Sequence, residues 1–191
     1  MVTSFEYDAV GHRYLLDGTE IPGVTRVIGD VLMGGRQWAD EAAMWRGSVV
    51  HSCCELDDRG TLDEATVDPA AVGFLHAWRM FKTEMRVEFM EIETPHTCEK
   101  CRYAGRPDRV AMLNGQKMVL DIKSGGVGVA TGIQLAAYCE LAATMERAAV
   151  RLQADGRYTL TQYSVRDLRR DHAVFLNALA VWNWRKERRL V

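Results

Sequence analysis

The sequence predicts an α/β fold, a mixed central β-sheet flanked by helices, and three observations carry that reading. Stretches that alternate apolar and polar residues are interleaved with stretches whose apolar residues recur every three or four positions, the periods of strand and helix. Asn114-Gly115 and Asp155-Gly156, each set between alternating runs, are strong hairpin turns. The elements follow the order helices, strand block, helix, two strands, helix, as expected of one layered domain over residues 1–191.

In chain order, Phe5–Tyr7 and Arg13–Leu16 predict a small hairpin, with Asp17-Gly18 as the next turn. Ile21-Pro22-Gly23-Val24-Thr25 leads into a short helix that Thr25 is placed to cap, and Gly34-Gly35 breaks it. A longer helix is expected from about Gln37 to Asp57. After a loop, Asp68-Pro69 opens a helix over about Ala70–Met85, striped by Val72, Leu75, Trp78 and Phe81. Val87–Ile92 alternates imperfectly, as a strand. Tyr103–Leu113 reads as one strand that returns through Asn114-Gly115 as Gln116–Lys123. The glycine loop Gly125-Gly126-x-Gly128 precedes a helix over about Thr131–Arg147. Val150–Gln153 and Tyr158–Ser164 flank Asp155-Gly156, and a helix over about Asp171–Glu187 closes the chain.

Composition excludes several classes. No run is apolar enough to span a membrane, and the N-terminus lacks the basic-then-apolar layout of a signal peptide, so a cytoplasmic location is expected. A net charge of −2 carries no global basic signature of nucleic-acid binding. The clusters Arg166, Arg169, Arg170 and Arg185, Lys186, Arg188, Arg189 read as solvated helix faces. Five cysteines, an odd number without an export signal, argue against a disulfide framework. Cys53, Cys54 and Cys139 read as core thiols. His96-x-Cys98-x-x-Cys101 is half of a zinc site with no second CxxC to complete it, which keeps a zinc-stabilised structural protein as one rival reading. Tryptophans 38, 45, 78, 182 and 184 have the helical spacing of core residues, although a tryptophan can also stack on an unpaired base.

The chemistry concentrates in Pro107-Asp108, twelve residues, then Asp121-Ile122-Lys123. On the return strand Leu120 and Ile122 face one side while Asp121 and Lys123 face the other. A carboxylate and an ammonium among Met118, Val119, Leu120 and Ile122 are costly to desolvate, and the hairpin brings Asp108 close to them. Two acids and a lysine at one spot of a sheet point to a divalent metal and a charged substrate. Upstream, His51 sits in Gly47-x-x-x-His51 on a helix; alone it reads first as a hydrogen-bonded imidazole. Gln134 and Tyr138 share a helix face after the glycine loop.

Taken in order, these motifs resemble the PD-(D/E)XK nuclease superfamily. Gln134-x-x-x-Tyr138 resembles the QxxxY motif of its RecB-like branch, and Gly47-x-x-x-His51 the histidine motif shared with Cas4-type and mitochondrial genome maintenance exonucleases. Ile21-Pro22-Gly23-Val24-Thr25 and Tyr103-Ala104-Gly105 look like phage-borne members. The resemblance implies a restriction-endonuclease-like core. It implies Asp108, Asp121 and Lys123 as catalytic residues, with His51, Asp108, Asp121 and the carbonyl of Ile122 holding Mg²⁺ or Mn²⁺. Lys123 would position or activate water and steady phosphate charge, and Gln134 and Tyr138 would support the site and contact DNA. Relatives with an iron–sulfur cluster place three cysteines near the C-terminus; none follows Cys139 here, so no such cluster is expected. Glu91, Glu93 or Glu99 is available as a further acid.

The function so implied is a metal-dependent DNA nuclease, an exonuclease acting on linear or single-stranded ends in phage recombination or DNA repair, with a recombination protein as a possible partner and the host cytoplasm as the setting of a phage protein. The alternative is a catalytically inactive nuclease-like module for DNA binding or assembly. Cleavage polarity, strand preference and oligomeric state have no readable pattern.

Overall fold

The computed structural model describes residues 3–34 and 41–190. At the N-terminus, β1 (Phe5–Asp8), β2 (Arg13–Leu16) and β3 (Thr19–Ile21) form an antiparallel three-stranded sheet. The Asp17-Gly18 turn forms as expected, both residues at positive φ, and leads into a third strand too short for alternation to reveal. Next come α1 (Val24–Val27) and a π-helical stretch over Ile28–Leu32. Gly23, not Thr25, is the N-cap residue: Thr25 lies inside the first turn, and no side chain caps this helix.

Helix α2 (Glu41–Asp58) carries His51; its expected start at Gln37 lies outside the described residues. Helix α3 (Val72–Glu84) starts two residues later than expected, because the Asp68 carboxylate accepts the Ala70 amide at 2.7 Å and closes a turn ahead of the helix. Then follow β4 (Glu88–Ile92), β5 (His96–Cys98), β6 (Tyr103–Gly105), β7 (Arg109–Leu113) and β8 (Gln116–Lys123). The chain ends with α4 (Val129–Leu141), β9 (Glu146–Leu152), β10 (Tyr158–Gln162) and α5 (Val165–Glu187).

Three expectations are corrected here. Tyr103–Leu113 is two strands: Pro107 has no N–H for a ladder, so β6 pairs with β5 in a separate ribbon and β7 begins only at Arg109. The helix expected to reach Arg147 stops at Leu141 for a tertiary reason. Lys117 Nζ donates to the Ala142 carbonyl at 2.6 Å and the Thr144 hydroxyl to the Lys117 carbonyl at 2.8 Å, which frees Glu146 onward to enter the sheet. The last helix starts at Val165, six residues early, capped by the Ser164 hydroxyl accepting the Arg166 amide.

The central sheet has strand order β10-β9-β8-β7-β4. Only the β8–β9 pair is parallel, with α4 as its crossover; the rest are antiparallel. Asn114 and Gly115 both have positive φ, 48° and 82°, as a type I′ turn requires, and this sets the β7–β8 register. Ala111, Leu113, Met118, Leu120 and Ile122 pack against α2 and α3 through Val50, Cys54, Phe74, Trp78 and Phe81. Val110, Val119 and Ala149 pack on the other face against α1, α4 and α5 through Val24, Leu135, Phe175 and Leu179. Trp78 and Trp182 are core residues as expected, whereas Trp45 and Trp184 are more than half exposed, at 55% and 52%, and Trp38 lies outside the described residues.

Fully buried Arg147 ties three elements together. Its guanidinium donates to the Gly132 carbonyl of α4, pairs with Asp171 of α5 at 2.6 Å and lies over the Tyr163 ring. Gly73 is where α3 meets the β9–β10 turn: a Cβ there would sit 1.8 Å from the Ala154 carbonyl oxygen, and backbone cannot swing aside. Gly73→Ala is expected to destabilise the fold by about 3 kcal/mol, seen as a fall in Tm of roughly 6–12 °C; an unchanged melting curve would contradict this packing.

Candidate active site

The site occupies a notch in the central sheet. The β7–β8 ladder starts at the Arg109–Leu120 pair, yet β8 continues to Lys123, paired there only with β9. Past Pro107 the backbone edge of Ile122 has no strand partner, and side chains satisfy it. Asp108 Oδ2 accepts the Ile122 amide at 2.6 Å, and His51 Nε2 lies 2.8 Å from the Ile122 carbonyl. A carbonyl oxygen only accepts, so Nε2 carries the proton, leaving Nδ1 3.6 Å from Asp108 Oδ2. The expected residues on α2, on β8 and just before β7 therefore meet at one point.

Asp121, one residue before, points to the α4 side and is 1% exposed. Its Oδ1 accepts Lys123 Nζ and Gln134 Nε2, both at 3.0 Å. Oδ2 lies 2.8 Å from the same Nζ without hydrogen-bond geometry, so it is a buried carboxylate oxygen with no donor. Burial pushes the Asp121 carboxyl up to about 6; Lys123 pulls it down and the Asp108 charge adds to the rise. For Lys123 burial acts downward, but the Asp121 and Asp108 charges outweigh it and hold the ammonium above the ordinary lysine range. Tyr138 is buried beneath this pair, one helical turn after Gln134, and burial pushes its hydroxyl well above the ordinary tyrosine range. Its ring fills the space a Cβ on Gly105 would need, 2.6 Å away, which explains the glycine of Tyr103-Ala104-Gly105. Gln134 and Tyr138 are thus placed to hold Asp121.

Of the three candidate glutamates, Glu93 joins the site. Its carboxylate lies with the His51 imidazole and the Asp108 carboxylate in a group whose ligand atoms are all within 4.8 Å of one another, the one such cluster among the described residues. Burial first, then the Asp108 charge, raises Glu93 to about 7 against Arg106, Arg109 and His51. Glu91 instead pairs with His96 at 2.5 Å, and Glu99 accepts the Thr3 hydroxyl. His96 therefore turns away from Cys98 and Cys101, and no third ligand meets those thiols among the described residues.

Sequence reasoning missed the support behind Glu93. Arg109, fully buried, reaches Glu93 at 3.3 Å, the Asp108 carbonyl at 2.5 Å and Asp58 at 2.8 Å. Asp58, equally buried, also accepts Trp78 Nε1 at 2.9 Å and Lys82 Nζ at 2.6 Å. Two signals point to it: an arginine opening the otherwise apolar strand Arg109-Val110-Ala111-Met112-Leu113, and an acid seven residues after His51, on the same helix face.

These groups form the floor of an open cleft of about 700 Å³. One wall is α2, at Gly47, Ser48 and Ser52; the other is the N-terminal sheet with Arg26 and Arg106. Carboxylates, an imidazole and a carbonyl suit a hard divalent cation; Asp121, expected among the ligands, lines the same cleft but lies outside the close group of His51, Glu93 and Asp108. His51, Glu93 and Asp108 would hold such a cation. A sheet-borne cluster of acids beside a protonated lysine is the donor set that metal-assisted phosphoryl hydrolysis requires.

The comparisons narrow that class. The family model of the PD-(D/E)XK nuclease superfamily matches residues 32–177, and the chain belongs to that superfamily. A comparison with curated proteins finds no match. Among solved structures the chain is similar to the alkaline exonuclease LHK-Exo from Laribacter hongkongensis, at 14% identity over 88% of this chain and 94% of that one, TM-score 0.45. The same enzyme in complex with dAMP gives 17% identity over 90% and 95%, TM-score 0.47. No described helix is long and apolar enough to cross a membrane.

A divalent cation at this floor would compete with protons: burial raises the Asp121 and Glu93 carboxyls to about 6 and about 7, so both gain negative charge as pH rises through that range. Mn²⁺ affinity, measured calorimetrically, is expected to be at least about tenfold tighter at about pH 8 than at about pH 5.5; equal affinities would show that neither acid contributes.

Proposed function

We propose that this nuclease is a divalent-metal-dependent deoxyribonuclease, and an exonuclease that works from linear or unpaired DNA ends. The observation that carries the reading is the convergence of Asp108, Asp121, Glu93, His51 and Lys123 on one notch at the cleft floor. Superfamily membership supports hydrolysis of a phosphodiester. The exonuclease preference and a setting in phage recombination or DNA repair rest on the RecB-like motifs, above all Gln134-x-x-x-Tyr138 and Gly47-x-x-x-His51.

Each residue has a role in this reading. Asp108, Asp121, His51 and the Ile122 carbonyl, joined by Glu93, hold Mg²⁺ or Mn²⁺. The bound ion lowers the pKa of water and offsets charge developing on the phosphoryl oxygens. Lys123 keeps its proton at neutral pH, so it orients the attacking water by donation and stabilises the phosphorane-like negative charge rather than acting as a base. Gln134 fixes the Asp121 rotamer from α4, and Tyr138 backs Gln134. The complete Asp121–Lys123 pair argues against the inactive-module alternative.

Asp121→Asn and Lys123→Ala are each expected to lower the cleavage rate on linear DNA by at least on the order of 10²-fold, with the far-UV spectrum unchanged; an active Asp121→Asn protein would remove the mechanism. End-labelled linear single and double strands, digested beside a closed circle with Mn²⁺ and with EDTA, test the rest. Linear strands should shorten progressively from an end while the circle survives; a nicked circle would overturn the exonuclease reading.

A further inference from the structure

The cleft wall opposite α2 has chemistry that the hydrolytic floor does not use. Tyr7 and Tyr14 are cross-strand partners in β1 and β2, with ring centroids 5.0 Å apart and planes 27° from parallel. Both are only partly buried and both line the cleft. The Arg106 guanidinium stands 5.5 Å from the centre of the Tyr7 ring. At the end of the hairpin, exposed His12 meets the Tyr7 hydroxyl through Nδ1 at 3.2 Å. Arg13 and Arg26 continue the wall with side chains 57% and 54% exposed. Arg13 pairs with Asp8, and Arg26 with Glu20 and Asp30, in solvent-facing ion pairs of the kind that contribute little.

The wall is held rigidly to the catalytic body. The Ala104 amide donates to the Pro22 carbonyl at 3.0 Å, next to a bridge between Gly23 and Ala104, and Leu16, Ile21 and Ala104 form a small core beneath it. Gly23 lets Tyr14 lie close: a Cβ there would be 3.0 Å from the ring. On the facing wall, a Cβ at Gly47 would meet nothing nearer than 3.9 Å, so its absence leaves room in the cleft rather than relieving a packing clash. A space of about 700 Å³ is on the scale that encloses one small organic ligand or a nucleotide or two.

We propose that the N-terminal sheet is a strand-gripping wall that binds an unpaired DNA strand beside the reacting phosphate, a reading that rests on the nuclease function above. Tyr7 and Tyr14, stacked on each other with Arg106 over Tyr7 and Phe5 against Tyr14, present ring edges and hydroxyls to the bases, which only an unpaired strand exposes, while His12, Arg13 and Arg26 take the phosphates. The wall acts on binding and meets the floor through Arg106, which lies over Tyr7 and pairs with Glu93 at 3.0 Å.

The test is steady-state cleavage of an unpaired oligonucleotide with Mn²⁺ by the wild type, a His12→Ala/Arg13→Ala double variant and Tyr7→Leu, which keeps apolar bulk under the hairpin. Each variant is expected to raise KM at least about fivefold with kcat within about twofold. The double variant should also flatten the dependence of log KM on log salt by about 0.7 for each phosphate it no longer neutralises, while Tyr7→Leu should leave that slope alone. Unchanged KM in both variants, or a fall in kcat with KM unchanged, overturns the wall alone, since the wild type still cleaves. A wild type that cleaves no DNA overturns the nuclease reading and this inference with it.

Discussion

The parting of β7 from β8 at Pro107 is the constraint on which the rest depends. A proline cannot donate to a ladder, so the hairpin opens one residue before Asp121 and leaves the Ile122 amide and carbonyl inside the protein without a strand to meet them. Buried peptide groups must find partners. The two that do so here, the Asp108 carboxylate and the His51 imidazole, are ligand groups. The break in pairing that would weaken an ordinary sheet thus creates a place where acids, an imidazole and a backbone oxygen converge.

Burial then sets the electrostatics of that place. Asp121 is almost fully removed from water and shares its oxygens with Lys123 and Gln134, leaving Oδ2 short of a donor. Its charge is offset there by the Lys123 ammonium, 2.8 Å from Oδ2. Behind it, Arg109 and Asp58 form an ion pair with no solvent contact on either side. Its net contribution to stability is small, since desolvation opposes the attraction. Its effect is geometric: the same guanidinium grips the Glu93 carboxylate and the Asp108 carbonyl, so the acids of the floor are braced from α2, α3 and β7 together. A site braced in this way holds its acids in position without a cation.

Much of the floor was legible in the sequence because it rests on local rules. The turn at Asn114-Gly115 imposes a register, and strand parity puts Asp121 and Lys123 on the face opposite Leu120 and Ile122. His51 required the resemblance, since a single helical histidine looks the same whether it faces a sheet or solvent. Glu93 was one of three equivalent acids until a bulged β4, shifted in register between Phe89 and Glu91, turned it toward Asp108. The end of α4 departs from its periodicity for a related reason. Ala142-Ala143-Thr144 contains no helix-stop residue, and the stop comes from Lys117, on a strand far away in the chain.

By itself the sequence determined the layered α/β order, the hairpin, the parity of the acidic strand and the motifs that name the superfamily, because these depend on the chemistry of residues a few positions apart. Only the tertiary structure decided which glutamate joins the floor, that Arg109 and Asp58 brace it, and that the first hairpin forms the opposite wall of the cleft. Those outcomes turn on contacts between segments tens of residues apart. Such contacts are selected by packing and by the need to pair every buried charge, and neither leaves a periodic trace along the chain.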